Sequence, residues 1–364
     1  MSLPSIRYRS PVRYNPSDDD NLSSADLWAR RKIFVQKINI NIRHPAYPSD
    51  TRPLLSFPPF DNDGVDYDLV IYACYILVQH DFNANETPYL SYSKEPRKDV
   101  ISPSSVIITR DCFLHVPAYT GPQPYPITPS FDHWKLSRPR APFGQPPAGL
   151  PPAWREASIS DDYIPAGDSN SIVYQRDGTC RVTGHFTGLE PAHLVPIEAS
   201  SWLQRNGMEP RNNTRNMILL RADIRVMLDY KEILIMPKKI DGQYRFVLKV
   251  IKSHFDSYDL VELYHNRICQ ELRGIGSEYI FGRFAWNIFN SQILQFTSTP
   301  RLRCKLLVYD REDWKYKVQD RLASDFCSDS EDDEDKAYQE RLQEHLHSIG
   351  NGPGEEPRGR KRTR

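Results

Sequence analysis

Apolar residues form several short, strand-like stretches in the first third of the chain. Residues 38–42 alternate between isoleucine and polar residues, which predicts a half-buried β-strand. A continuous apolar run at 69–78 predicts a buried strand, and two shorter candidates follow at 106–108 and 113–116. Together these stretches predict a small, mostly β domain over residues 31–116.

After residue 230 the pattern predicts one hairpin and two helices. Two apolar runs flank an Asp-Gly pair, which is typical of a β-hairpin with a tight turn. Two later stretches predict an amphipathic helix that ends near a glycine and an aromatic-rich helix that faces the core. The hairpin covers 232–250 around Asp241-Gly242, and the helices cover 260–272 and 278–289.

Proline is dense between these two regions, at residues 117–152. Because proline fixes φ and removes a backbone donor, this segment is predicted to be a linker or a belt laid across the surface. The predicted organisation is a disordered arm at 1–30, the mostly β domain at 31–116, a Pro-rich linker at 117–165, a central domain with its hairpin at 166–250, a helical extension packed on it at 251–320, and a disordered acidic then basic tail at 321–364.

Composition limits the class of protein. The 364 residues carry a formal net charge of zero, so any nucleic-acid surface must be local. The six cysteines include no CxxC pair, and no signal peptide is evident, which argues against a zinc knuckle and a disulfide framework. No apolar run approaches the roughly 20 residues of a membrane span. We expect a soluble, intracellular protein, and the basic block at 358–364 is either a nuclear-import signal or a phosphate contact.

The candidate chemistry lies between Cys180 and Asp229. Cys-Arg-Val-Thr-Gly begins this stretch, Ala-His-Leu-Val-Pro begins at Ala192, and Asn216 precedes an apolar run and an Asp-Ile-Arg triplet. In this order the elements resemble the ββα-metal half of an HNH endonuclease. The Ala-His-aliphatic-aliphatic-Pro form resembles fungal HNH nuclease-domain proteins, and weaker similarity in the flanks extends over most of 31–310. The resemblance implies an α+β fold with a ββα-metal core.

The resemblance also implies roles for individual residues. The hairpin would be formed by strands at 180–184 and 190–195, and the helix by residues 222–229. His193 would be the general base that activates water, and Asn216 would fasten the loop that orients it. One divalent metal ion (Mg²⁺, Mn²⁺ or Zn²⁺) would assist hydrolysis of a phosphodiester bond in nucleic acid, with DNA as the expected partner.

Two positions depart from the family pattern. A metal ligand usually precedes the general base, but this position is Ala192, and the helix histidine is replaced by Arg225. A guanidinium has no lone pair to donate, so Arg225 cannot ligate a cation, although it could pair with Asp229 one helical turn later. Glu190 would share a strand face with Ala192, so it is either a substitute ligand or an ordinary exposed glutamate. His185, at the turn of the predicted hairpin, is the other candidate ligand.

The departures leave three outcomes. The domain is a pseudo-nuclease without a metal site, or Arg225 holds the phosphate directly, or His185 restores the metal site. We expect impaired cleavage and a retained fold. The competing functions are a metal-dependent endonuclease, a degenerate HNH domain that binds nucleic acid, and a protein-interaction module. The arginines around the motif suit phosphate binding or are ordinary surface charge, and the candidates are Arg181, Arg215, Arg221 and Arg225.

Overall fold

A computed structural model describes the chain from residue 38 to residue 326, with short gaps. The predicted N-terminal arm, the first residues of the predicted mostly β domain at 31–37 and the charged tail from residue 327 onward lie outside the described residues. The internal gaps are 83, 104, 120–122, 137–148, 158, 161–167, 210–212, 253–256 and 311–314.

The described residues mix strands and helices, which is consistent with the α+β class. None of the described helices has the length and apolar character that crossing a bilayer requires. The strands are β1 (Ile40–Arg43), β2 (Leu55–Phe57), β3 (Val65–Asp66), β4 (Tyr89–Ser91), β5 (Val106–Ile107), β6 (Asp111–His115), β7 (Ile159–Ser160), β8 (Leu189–His193), β9 (Met217–Arg221), β10 (Ile233–Ile240), β11 (Gln243–Val250), β12 (Arg267–Ile268), β13 (Leu272–Arg273), β14 (Arg303–Asp310) and β15 (Lys315–Leu322). The helices are α1 (Tyr67–Leu77), α2 (Pro152–Glu156), α3 (Ser169–Asp177), α4 (Ser200–Arg205), α5 (Ala222–Asp229), α6 (Ser257–Tyr264) and α7 (Ser277–Phe289).

The N-terminal sheet has the strand order β2-β1-β6-β4. Strand β1 pairs antiparallel with β2, with Ile40 opposite Phe57, and parallel with β6, with Ile42 opposite Cys112. These four side chains are buried, so the sheet forms one side of the core. The isoleucine alternation at 38–42 and the runs at 106–108 and 113–116 are confirmed as strand signals, because β1, β5 and β6 lie there.

The prediction of a strand at 69–78 is wrong, because these residues belong to α1. Asp66 caps this helix by accepting a hydrogen bond from the backbone N–H of Asp68 at 3.0 Å. Most side chains of α1 are buried, including Leu69 and Val70 on neighbouring positions. A helix buried on most sides has no polar stripe, so its sequence cannot be distinguished from that of a buried strand by periodicity.

A network of buried charges connects the segment before α1 with the later hairpin. The side chain of Lys249 is fully buried, and its Nζ lies 2.9 Å from Oδ1 of Asp61 and 3.0 Å from Oδ2 of Asp66. Lys238 Nζ lies 2.7 Å from Oδ1 of Asp66 and 2.9 Å from Oδ2 of Asp68. We call these five residues, with His265 and Asn266, the buried ion network.

His265 and Asn266 complete the environment of Asp61. His265 Nε2 and Asn266 Nδ2 each lie 2.9 Å from Oδ1 of Asp61. Because the backbone N–H of Val250 donates to Nδ1 of His265, the imidazole is neutral and carries its hydrogen on Nε2. Burial alone would raise the pKa of Asp61, but Lys249 and His265 outweigh it and hold this pKa well below its usual value.

The described part of the proline-rich segment packs against the body of the protein. Tyr125, Ile127 and Trp134 are each at most 3% exposed. The Trp134 ring stacks on Trp202 of α4 with 5.3 Å between centroids, and the Trp202 indole donates to the Trp134 carbonyl at 2.8 Å. Residues 123–136 therefore form a belt that covers α4, with aromatic side chains turned inward.

The predicted hairpin at 232–250 is confirmed by β10 and β11, which pair from Ile233–Val250 to Ile240–Gln243. Its two turn residues both have positive φ, 49° at Asp241 and 82° at Gly242. The helix predicted at 260–272 extends too far, because α6 ends at Tyr264 and residues 267–268 form β12 beside β11. Asn266 has a φ of 62°, a left-handed conformation that ends the helix before the chain reverses.

The aromatic-rich helix predicted at 278–289 is confirmed as α7. A Cβ added at Gly282 would lie 2.8 Å from Cγ2 of Val195 and 3.5 Å from the Trp202 ring, so α7 approaches the central segment closely at this glycine. The C-terminal region predicted to be helical also contains a two-stranded ribbon, in which β14 and β15 pair antiparallel over eight residues each.

Candidate functional site

Strands β8 and β9 pair antiparallel, and α5 follows β9 directly. His193 lies opposite Met217 at one end of the ladder, and Leu189 lies opposite Arg221 at the other. The predicted second strand and the predicted helix at 222–229 are therefore present. The strand order differs, because the partner of β8 comes after it in sequence and not before it.

The predicted first strand at 180–184 is wrong, because these residues form a turn. The backbone N–H of Gly184 donates to the carbonyl of Cys180 at 2.9 Å, and Gly184 has a φ of 73°. This turn contacts the outer edge of β9 through a hydrogen bond of 3.0 Å from the N–H of Arg181 to the carbonyl of Leu219. Cys180 is fully buried, as expected for a core residue.

Helix α3 supports β9 through two charged residues that sequence reasoning missed. The Asp177 carboxylate accepts from the N–H of Leu219 at 2.8 Å and pairs with Arg176 at the same distance. The Arg176 guanidinium donates to the carbonyls of Thr214 and Met217, each at 2.7 Å. An adjacent Arg-Asp pair in a polar helix gives no sequence signal that distinguishes it from surface charge.

Asn216 holds the segment that follows His193. Its side-chain Oδ1 accepts from the N–H of Val195 and its Nδ2 donates to the carbonyl of the same residue, both at 2.9 Å. Its own carbonyl accepts from the N–H of Leu194 at 2.8 Å. Asn216 is 1% exposed, so these bonds form away from water. This geometry suits the loop-fastening role that the sequence suggested, although the catalytic role itself stays a prediction.

His193 ends β8 as a partly exposed side chain. Burial lowers the pKa of its imidazole below the usual value, the positive charge of Arg225 lowers it further, and Glu198 opposes this with a smaller effect. A lowered pKa keeps the ring neutral near pH 7. A neutral imidazole has a free lone pair, so His193 has the protonation state that a general base requires.

The influence of Arg225 on His193 can be tested by removing the charge. In Arg225→Gln the pKa of His193 is expected to rise towards its usual value, because the repulsion between guanidinium and imidazolium is lost. Arg221→Gln is the matched control, since Arg221 pairs with Asp223. The measurement is an NMR titration of the imidazole carbon-bound protons. An unchanged His193 pKa in Arg225→Gln would show that burial alone sets it.

Arg225 lies between the two carboxylates that were candidate metal ligands. Its Nη1 is 2.5 Å from Oε2 of Glu190 on β8, and its Nε is 3.6 Å from Oδ2 of Asp229 on α5. The side chains of Arg225, Glu190 and Asp229 are 40%, 46% and 57% exposed, so solvent reaches this pair of contacts. A protein cation therefore occupies the space between strand and helix for which the sequence analysis predicted a metal ion.

The donor set does not fit a divalent metal in this arrangement. Within the ranges that the structure describes, no three His, Cys, Asp or Glu side chains are grouped so that they could hold a metal ion. Glu190 and Asp229 instead contact Arg225. His185 is exposed at the turn, where its carbonyl accepts from the N–H of Cys180 at 2.9 Å. A metal site built from His185, Glu190 and Asp229 therefore requires rearrangement of these side chains.

The candidate phosphate-binding arginines are mostly committed to internal partners. Arg181 must be removed from this set, because it is 8% exposed and its guanidinium donates to the carbonyls of Asp177, Thr179 and Glu271. Each of the other three candidate arginines pairs with a carboxylate. Carbonyls and carboxylates that already bind a guanidinium compete with phosphate for its N–H groups. The pairs are Arg215 with Glu278 at 3.2 Å, Arg221 with Asp223 at 2.5 Å, and Arg225 with Glu190 at 2.5 Å.

Arg283 of α7 is a site-supporting residue that the sequence analysis did not identify. It is 3% exposed and donates to the carbonyls of Leu194, which follows His193, and Leu228 near the end of α5. Burial lowers the pKa of Arg283 to about 10, so it stays protonated at neutral pH. The Arg283 guanidinium thus connects the backbone that follows His193 with the backbone near the end of α5. A lone arginine within an apolar helix sequence is the signal that could have revealed it.

Comparison with known families supports the assignment of this region. Residues 180–236 match the family model described as HNH endonuclease. No curated protein and no solved structure matches the chain. The chain therefore carries an HNH endonuclease domain that includes His193, Asn216 and Arg225. Such a domain indicates nuclease-type chemistry and nucleic acid as its partner.

Proposed function

We propose that residues 180–236 form an HNH-type endonuclease domain that acts on nucleic acid and whose cleavage is impaired by Arg225. The observation that carries this proposal is the pair of contacts from Arg225 to Glu190 and Asp229. The guanidinium satisfies the two carboxylates with a fixed positive charge, so a divalent ion would have to displace it. The expected metal-dependent reaction is therefore disfavoured in this arrangement.

The remaining residues support a retained phosphodiester-binding geometry. His193 is neutral and partly exposed, so it can accept a proton from water beside a bound phosphate. Asn216 fixes the backbone after His193, and Arg225 lies close enough to lower the pKa of that histidine. A phosphate oxygen could compete with Glu190 for Arg225, which would place the phosphate next to the base.

A second candidate is a degenerate HNH domain that binds nucleic acid or a protein partner without cleavage. The observation that favours it is the shortage of uncommitted arginine around the site, because the guanidinium groups of Arg215, Arg221 and Arg225 each contact a carboxylate. In this view the fold is retained as a scaffold, and fold alone does not establish activity.

The experiment is a cleavage assay on supercoiled plasmid, with a matched RNA substrate, in the presence of Mg²⁺, Mn²⁺ or Zn²⁺. We expect the wild-type protein to cut slowly and Arg225→His to cut faster, because the new imidazole can act as a metal ligand beside Asp229. Adding His193→Ala to Arg225→His is expected to reduce cleavage by about 10²-fold or more, the usual contribution of a general base.

The controls separate the two candidates. Arg225→Gln removes the cation that a metal ion would have to displace but supplies no imidazole, so its rate should rise above that of the wild-type protein and stay below that of Arg225→His. Cutting by wild type that survives His193→Ala would sink the assignment of the base. If wild type and Arg225→His are both inactive but bind nucleic acid, the degenerate binding domain is the better description. Preference for plasmid over RNA would support DNA as the substrate.

A further inference from the structure

Arg283 of α7 joins the two backbone segments that carry the residues of the candidate site. Its Nη1 donates to the carbonyl of Leu194, the residue after His193, at 3.2 Å. Its Nη2 donates to the carbonyl of Leu228, in the same helix as Arg225. The N–H groups of a guanidinium form a planar fork of fixed geometry. One rigid group therefore spans the gap between the end of β8 and the last turn of α5.

Neighbouring contacts leave the segment after His193 little freedom to move on its own. Asn216 binds both polar groups of the Val195 backbone at 2.9 Å. A Cβ added at Gly282 would lie 2.8 Å from Cγ2 of Val195, so the backbone of α7 is in close contact with the same residue. Because this segment is held by Asn216 and by α7, the contact of Arg283 with α5 is a direct link between that helix and a fixed point beside His193.

Packing alone does not account for an arginine at this position. Arg283 is 3% exposed, and its Nε has no hydrogen-bond partner among the described residues, which makes burial of the charge costly. One helical turn later, Asn287 is fully buried and binds the carbonyl of Ile233 at 2.6 Å with an uncharged amide. A neutral side chain is thus sufficient to bind one carbonyl from α7, whereas the guanidinium binds carbonyls on two separate elements.

The positive charge of Arg283 is stabilised by the elements that it connects. The Leu228 carbonyl lies in the last turn of α5, where the helix dipole favours a cation. Burial lowers the pKa of Arg283 to about 10, and the carboxylates of Asp229 in α5 and Glu198, which follows β8, oppose this effect. The guanidinium therefore stays charged while it is held between the strand end and the helix.

We propose that Arg283 is a positioning residue that sets the separation between His193 and Arg225. Through one rigid group it holds the backbone after His193 and the backbone of α5, so the imidazole and the Arg225 guanidinium keep a fixed spacing. This spacing decides how strongly the two groups repel each other when the imidazole is protonated. The role rests on the proposed function, in which His193 is the general base, but the spacing itself can be measured without cleavage.

The first test is an NMR titration of the His193 ring in the full chain, with its signals assigned from His193→Ala. Arg283→Met keeps an unbranched stem and removes the fork. We expect the ring signals to shift and the pKa of His193 to rise towards its usual value, because Arg225 is no longer held beside it. Asn287→Ala is the matched control, since it removes a buried contact with β10 from the same helix. It should lower stability and leave the His193 titration unchanged.

Arg283→Lys separates geometry from charge, and it is the milder variant if Arg283→Met fails to fold. An ammonium on a flexible stem does not reproduce the planar fork, so we expect His193 to change in the same direction as in Arg283→Met. A wild-type His193 titration in Arg283→Lys overturns the proposal, because charge alone would then be sufficient. Changes of equal size in Asn287→Ala also overturn it, since they would reflect a general loss of packing.

The cleavage assay separates this inference from the proposed function. When Arg283→Lys is added to Arg225→His, we expect the cleavage rate to fall by up to about 10²-fold, the effect of a misplacement of roughly 1 Å, with unchanged affinity for duplex DNA. If His193 responds as expected but no variant cleaves, the proposed function fails and the positioning role stands. If Arg225→His cleaves and the added Arg283→Lys changes neither the rate nor the His193 signals, the positioning role fails and the proposed function stands.

Discussion

Lys249→Met is expected to destabilise the protein by about 3–5 kcal/mol, the usual result of removing one partner from a buried ion pair. Lys249 is fully buried and contacts the carboxylates of Asp61 and Asp66 at 2.9 and 3.0 Å. Methionine matches the lysine stem in length but leaves two carboxylates close together without the cation between them. The measurement is the free energy of unfolding from urea denaturation.

The control for this prediction is the same substitution on the same hairpin. Lys239 of β10 is exposed, and Lys239→Met should change the free energy of unfolding by no more than about 0.5 kcal/mol. A loss in Lys249→Met as small as in Lys239→Met would mean that water or rearranged donors such as His265 compensate the carboxylates. The buried ion network would then fix how α1 and the hairpin pack together while contributing little to the free energy of unfolding.

Asn216→Ala is expected to have the second large effect, because it unfastens the backbone after the general-base candidate. Both polar groups of Val195 lose a buried partner, and each unpaired group costs about 1–3 kcal/mol. We also expect the NMR signals of the His193 ring to shift or broaden, since His193 lies two residues before the released segment. Urea denaturation and imidazole spectra measure the two consequences separately.

Asn170→Ala is the matched control for this substitution, because Asn170 is exposed on α3. It should leave both the unfolding free energy and the His193 signals close to those of wild type. If Asn216→Ala lowers stability but leaves the His193 signals in place, Asn216 supports the fold and not the orientation of the base. Unchanged stability would show that water replaces the lost amide.

The sequence predicted those parts of the fold that local patterns determine. The Asp241-Gly242 hairpin follows from turn chemistry, α7 from its aromatic-rich pattern, and the helix at 222–229 from residue order in the motif. The pairing of β8 with β9 was missed because residues 194–216 separate the two strands, so no local sequence pattern connects them. The helix at 67–77 was missed because burial on most sides removes its polar stripe.

The candidate site divides in the same way. His193, Asn216 and the pairing of Arg225 with Asp229 could be anticipated from motif order and helical spacing. The contact between Arg225 and Glu190 depends on which face of β8 meets α5, and the support from Arg283 depends on packing of a distant helix. Charged residues are usually exposed, so nothing in the sequence distinguishes a buried pair such as Arg176 and Asp177, whereas the apolar neighbours of Arg283 do give a signal.

Arg283 shows that the region of family similarity and the unit of folding have different limits. The matched region ends at residue 236, yet carbonyls within it are satisfied by a guanidinium far beyond that limit, and Gly282 provides the space for Val195. A fragment cut at the edges of the family match would expose these surfaces to water. The HNH motif thus depends on contacts from α7, which follows it in the sequence. The shortest fragment that we expect to fold therefore includes α7.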